Sequence, residues 1–153
     1  MSSITYDEVF GAFLGKITDF DFVKFEEEDV YALMGDWLRS TIATSYVRRL
    51  FSAITLDDEN KNIDFTMLDV VDENADIDFV REILAKGMVI AWLKPQVRSK
   101  LNISQFFATK EQKMFSQANH LEEIRALLED TELELRKEIR DRGYINNGYL
   151  DAT

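Results

Sequence analysis

The stretch Ile83-Leu84-Ala85-Lys86-Gly87-Met88-Val89-Ile90-Ala91-Trp92-Leu93 decides the fold. Wound into a helix, it puts an apolar residue at nearly every angular position, with Lys86 the only charge. That is the pattern of a helix covered by protein on all sides. It is too short and too isolated to cross a bilayer, which takes roughly 20 apolar residues. Lys94-Pro95 follows, and proline disfavours helical geometry in its predecessor, so the helix is expected to stop or kink there. The stretch reads as the central post of an all-α fold: a small bundle of four to five helices around one buried helix.

Working outward toward the N-terminus, Asn74 or Asp76 is the expected cap of this helix, which runs from about Ile77 to Lys94. From Ser52 to Ala75 helical periodicity fails. Asp57-Asp58-Glu59-Asn60-Lys61-Asn62 is a cluster of turn formers, and Ile63, Phe65 and Met67 alternate with polar residues as a short strand does. The segment is too long for an idle connection, and a strand or an excursion toward a neighbour fits it. Asp58, Asn60, Asn62 and Asp64 invite a calcium-loop reading. Ile63 occupies the position where such a loop turns on glycine, and Asp69 stands where a bidentate glutamate closes it, so no metal site is expected.

Further upstream, Thr5 and Glu8 have the spacing of a capping box, with Ile4 and Val9 placed to staple it. Val9, Phe10, Phe13, Leu14 and Ile17 continue as one apolar stripe. Asp19-Phe20-Asp21-Phe22-Val23-Lys24-Phe25 has no helical spacing and reads as a partly buried connection. Glu26-Glu27-Glu28-Asp29 supplies a negative first turn. Val30, Leu33, Met34, Trp37, Leu38, Thr41, Ile42, Ser45 and Tyr46 then predict a helix that extends toward Phe51.

Beyond Pro95, Val97, Leu101, Ile103, Phe106 and Phe107 suggest a shorter, less regular helical segment. Ser116 or Asn119 can cap the last helix, whose stripe is Leu121, Ile124, Leu128, Thr131, Leu135 and Glu138, widened by Leu127 and Ile139. Glu132 with Arg136, and Glu138 with Arg142, have favourable i,i+4 spacing. Gly143 is the expected stop. The chain thus divides into a helical domain, 1–143, and a C-terminal tail, 144–153. The tail residues Tyr144, Ile145, Tyr149 and Leu150, with Ile63, Phe65 and Met67, are the candidate interface.

The chain has 153 residues, 46% of them hydrophobic, enough for one domain with a core of its own. It has no cysteine, so neither disulfides nor thiolate metal sites support it. No secretion signal is visible, which places its synthesis in a cytoplasm. Acidic residues outnumber basic ones 29 to 18, for a net charge of −11. Such a surface repels phosphate and disfavours ordinary nucleic-acid binding, while favouring solubility or a basic partner. His120 is the only histidine. A Ser-His-Asp array would have to use it, yet its position in the first turn of the last helix suits local packing better. The glycines are scattered singly, so no phosphate-cradling loop exists. Catalytic, cofactor-binding and metal residues are therefore expected to be none, and the protein is not expected to be an enzyme.

Three stretches carry a resemblance. They are Tyr6-Asp7-Glu8-Val9-Phe10 with Phe13-Leu14-Gly15-Lys16-Ile17-Thr18-Asp19-Phe20-Asp21, then Gly87-Met88-Val89-Ile90-Ala91-Trp92-Leu93-Lys94-Pro95, then Phe115-Ser116-Gln117-Ala118-Asn119-His120-Leu121. In this order and spacing they resemble head–tail connector (adaptor) proteins of tailed bacteriophages, over Thr5 to Glu129. The resemblance implies a structural virion protein of the head–tail neck, assembled in host cytoplasm. It implies a homo-oligomeric ring, typically of about twelve copies, that binds the portal protein, extends the DNA channel and docks a head-closure (stopper) or tail component. DNA would pass without specific binding, and no membrane is involved. An acidic inner wall would keep the duplex from sticking. The competing reading is an acidic helical binding protein that inhibits or regulates a DNA-binding enzyme by mimicking duplex charge. It wants carboxylates in phosphate-like rows, whereas the last helix alternates them with lysines and arginines.

Overall fold

The computed structural model describes residues 1–17, 27–106 and 111–145, with side chains for 1–17, 31–98 and 122–142. The aromatic connection at 19–25 and the tail beyond 145 lie outside the described residues. The elements in chain order are β1 (Ser2–Thr5), α1 (Tyr6–Lys16), α2 (Glu27–Ala43), α3 (Ser45–Arg48), β2 (Phe51–Asp57), β3 (Asn62–Met67), α4 (Glu73–Phe106) and α5 (Glu111–Ile145). The fold is mostly helical, and it also contains a three-stranded antiparallel sheet in the order β1-β3-β2. An all-α architecture is thus corrected to a helical body with a small sheet.

The central post is as expected. Ile83, Leu84, Ala85, Met88, Val89, Ile90, Trp92 and Leu93 are all buried in α4, and α1, α2 and α5 pack around it. The approach of α2 is close enough that a Cβ at Gly87 would overlap Cγ2 of Thr41. Thr41 has little freedom to yield, because its Oγ1 donates to the Trp37 carbonyl at 2.8 Å. The rings of Phe13 and Trp92 meet edge to face at 6.2 Å, joining α1 to α4.

Contrary to a stop at Pro95, helix α4 continues to Phe106. Proline removes one backbone donor, and Gln96 Nε2 reaches back to the nearby Trp92 carbonyl at 3.3 Å. Pro95 itself is exposed to solvent. At the other end the cap also lies elsewhere than expected. Asp72 accepts from the Ala75 amide at 2.7 Å, so the helix starts at Glu73 rather than near Ile77.

The capping box forms as read. Thr5 Oγ1 accepts from the Glu8 amide at 3.1 Å, and Glu8 Oε2 accepts from the Thr5 amide at 3.0 Å. Thr5 also ends β1, so a single residue closes a strand and opens a helix. Ile4 pairs with Ile63 across the sheet, where both are buried. Helix α2 ends at Ala43 instead of running on toward Phe51. The hydroxyls of Thr41 and Thr44 both bond back to carbonyls four residues earlier, a pattern that bends helices, and Thr44 takes an extended conformation. Phe51 then begins a strand.

Helices α4 and α5 form an antiparallel pair joined by ions. Arg142 near the end of α5 meets Asp76 at the start of α4, Lys86 meets Glu138 and, at 3.8 Å, Glu134, and Lys94 lies 3.8 Å from Glu132. Glu132, Glu138 and Arg142 thus find partners on α4 rather than along their own helix, and Arg136 lies over the Tyr46 ring at 5.9 Å. Helix α5 begins at Glu111, earlier than Ser116 or Asn119, and passes Gly143 to reach Ile145.

Candidate interface

Three of the expected interface residues belong to this chain's own core. Ile63, Phe65 and Met67 lie on β3, the middle strand, and all three are buried, with Phe65 packed edge to face on Phe51 at 5.8 Å. Alternation was a correct sign of a strand. Its apolar face is turned inward, so these side chains are buried within the chain, with Phe65 and Met67 reaching only the inner wall of a cleft beside the sheet. Tyr144 and Ile145 lie in the last turn of α5 with side chains outside the described residues, as are Tyr149 and Leu150 altogether.

The turn-former cluster is the loop of the β2–β3 hairpin, with Asp57 opposite Asn62. Asp57 Oδ1 accepts from the amides of Glu59 and Asn60, at 3.0 and 3.1 Å, and Asn60 Nδ2 donates to its Oδ2 at 2.7 Å. Lys61 takes the left-handed conformation that completes the turn, φ 57°. Asp58 reaches away to bind Tyr6 Oη at 2.8 Å and the Arg39 guanidinium. These carboxylates serve the turn and its docking against α1 and α2. Among the described residues no group of three or more histidine, cysteine or carboxylate side chains is placed to hold a metal ion. His120 lies in α5, its side chain outside the described residues.

Clefts lined by described residues open at two places on the surface. One, of about 140 Å³, lies between α2, α3, α4 and α5, lined by Thr41, Thr44, Tyr46, Gly87, Lys94 and Glu132 among others. The hydroxyls of Thr41 and Thr44 donate to carbonyls of their own helix, which leaves neither activated as a nucleophile. The other, of about 290 Å³, lies beside the sheet, where Met1, Phe65, Met67 and Val70 meet Glu73 and Asp76.

The second cleft adjoins a surface that sequence reading missed. Leu68 is 62% exposed, Val70 64%, Val71 47% and Met1 92%. Isolated exposed apolar residues are ordinary, whereas a cluster marks a contact surface. The segment 68–72 is held in place. The Leu68 amide donates to the Leu50 carbonyl at 3.0 Å, Arg142 donates to the Asp69 carbonyl at 3.0 Å, and the Val71 amide donates to Asp76 at 3.3 Å. A sign was present in the sequence. Met67 completes the inward set of β3, and Leu68, Val70 and Val71 then follow as apolar residues with no inward positions left to fill.

No family model, no curated protein and no solved structure matches this chain.

Proposed function

We propose that the chain is a structural virion protein of the head–tail neck, an adaptor that assembles as a ring under the portal. The observation that carries this reading is the ordered set of three stretches, Tyr6 to Asp21, Gly87 to Pro95 and Phe115 to Leu121. Described residues of the first two meet in one core, where Phe13 of α1 packs on Trp92 of α4. A shared core is what family members keep in common while surfaces diverge. The acidic-mimic alternative is weakened, because Glu132, Glu134 and Glu138 of α5 lie close to lysines of α4 and do not form a free row.

The test is light scattering of the chain alone and mixed with the portal protein of the same virus. A complex with a ring of about twelve copies is expected on mixing. A chain that never joins the portal would refute the reading. An image of the neck would then locate the acidic residues. Arg48 and Arg49 lining the bore, with carboxylates outside, would remove the idea that the wall repels DNA.

A further inference from the structure

We infer that the surface formed by Met1, Leu68, Val70 and Val71, with the cleft beside it, docks a basic segment of another protein through an apolar anchor side chain. The proposal needs no ring, so it stands or falls separately from the adaptor reading.

Six large apolar side chains stand exposed among the described residues; Met1 and Val70 line one cleft, and Leu68 and Val71 flank Val70 in the chain. Met1 and Val70 form the lip of the 290 Å³ cleft, whose inner wall includes the buried Phe65 and Met67. A branched or unbranched aliphatic side chain entering it would exchange water for apolar contact along the cleft's inner wall. The rim supplies the sign of the partner. Asp69, Asp72 and Glu73 are all exposed, Glu73 lines the cleft, and the carboxylates of Asp69 and Glu73 have no partner among the described residues. Asp76 also lines the cleft, but its charge is met by Arg142. An acidic segment would therefore meet repulsion at the rim. Lysine or arginine on either side of the anchor would meet attraction, which steers encounter and selects the partner. The surface is also presented firmly, because the Arg142 and Asp76 bonds tie 68–72 to the ends of α4 and α5. A preordered surface loses less freedom on binding.

The probe is a short labelled peptide alternating leucine with lysine, titrated into the full chain and followed by anisotropy and by amide chemical shifts. A counterpart with glutamate in place of lysine serves as the comparison. Saturable binding is expected with the lysine peptide only, with shifts concentrated over 65–76 and at Ser2. The pair Leu68→Ser and Val70→Ser should weaken it about tenfold or more, while melting as the parent does because both side chains face solvent. Shifts spread along the acidic face of α5, equal binding by the glutamate peptide, or unchanged affinity in the paired variant would each overturn the proposal. So would amide–side-chain contacts in the free chain showing residues 146–153 already seated on Leu68 and Val70.

Discussion

Single residues set some of the sharpest constraints in this molecule. At Gly87 the constraint is steric, since Thr41 fills the space a methyl group would take. Gly87→Ala should destabilise by about 1–3 kcal/mol in urea melts, despite the better helix propensity of alanine. Thr41→Ala in the same chain should recover much of that loss, as expected for two residues in direct contact. At Arg142 the constraint is electrostatic. Its guanidinium is buried against Asp76 and lies over the Phe79 ring at 4.4 Å. Asp76→Ala leaves that charge uncompensated and should cost about 3–5 kcal/mol. Changing the pair together, Asp76→Leu with Arg142→Met, should restore most of it. Arg142 Nε is buried without an acceptor, so the ionic version is itself imperfectly satisfied.

Tyr6 and Asp58 make stability depend on pH at both extremes. Burial first, then the bond to Asp58 and its charge, push the Tyr6 phenol from 10.0 up to about 12. The folded chain thus holds this proton more tightly than the unfolded one. The stabilisation is whole below pH 10 and is lost as pH rises from there through about 12. The opposite sign applies to Asp58. The Tyr6 bond, with the Arg39 charge, holds its carboxyl below 3.8, so its contribution is whole above that value and fades as pH falls. Tyr6→Phe keeps the ring and removes the bond. Urea midpoints plotted against pH should fall less at the alkaline end in this variant, where burial of Tyr31 and Tyr46 still contributes, and should also show a shallower acid fall.

Elements show where sequence was legible and where it was not. The capping box of Thr5 and Glu8 and the alternation of Ile63, Phe65 and Met67 were readable because each depends on residues a few positions apart. The burial of 83–93 was readable because no polar face competes with it. Strand β1 was not: four residues hold too few periods, and Ile4 served equally well as a staple for α1. Strand β2 was hidden by the bulge between Phe51 and Ala53, which breaks the alternation that Ile54 and Leu56 would otherwise continue. The partner of Lys86 lay beyond reach for a different reason. Glu138 is 52 residues away, and only the antiparallel docking of α5 brings it near. Ile63, Phe65 and Met67 lie in the chain's own core, and the sequence left that open because an apolar stripe announces burial without saying by what. At Pro95 the sequence allowed a stop or a kink, and the helix does not stop there. Since that residue is exposed, Pro95→Ala has a donor to restore and little packing to lose. It should raise stability by about 1–3 kcal/mol, measured by thermal or urea melting.

For the molecule as a whole, the N-terminal residues hold the two parts of the architecture together. Ile4 is buried in the same core as α4, Thr5 opens α1, and the Tyr6 amide donates to the Lys61 carbonyl at 2.8 Å. Removing residues 1–5 would empty the Ile4 site, uncap α1 and expose the edge of β3. Loss of a buried isoleucine alone costs about 2–5 kcal/mol and a cap about 1, against a total of about 5–15 for an ordinary domain. The truncated chain should lose the sharp melting transition of the full one in circular dichroism. An extension added ahead of Met1 should leave the transition in place, because Met1 is open to solvent.

That strand has a consequence in time. Ser2 to Thr5 are made before their partners Asn62 to Phe65, which follow some sixty residues later in the chain. The β2–β3 hairpin closes over a short loop and can form by itself, whereas β1 must wait and then cross a long separation to join it. The strand made earliest of the three is thus among the last to find its place. Shortening Ile4 to valine should accordingly hasten unfolding far more than it slows folding.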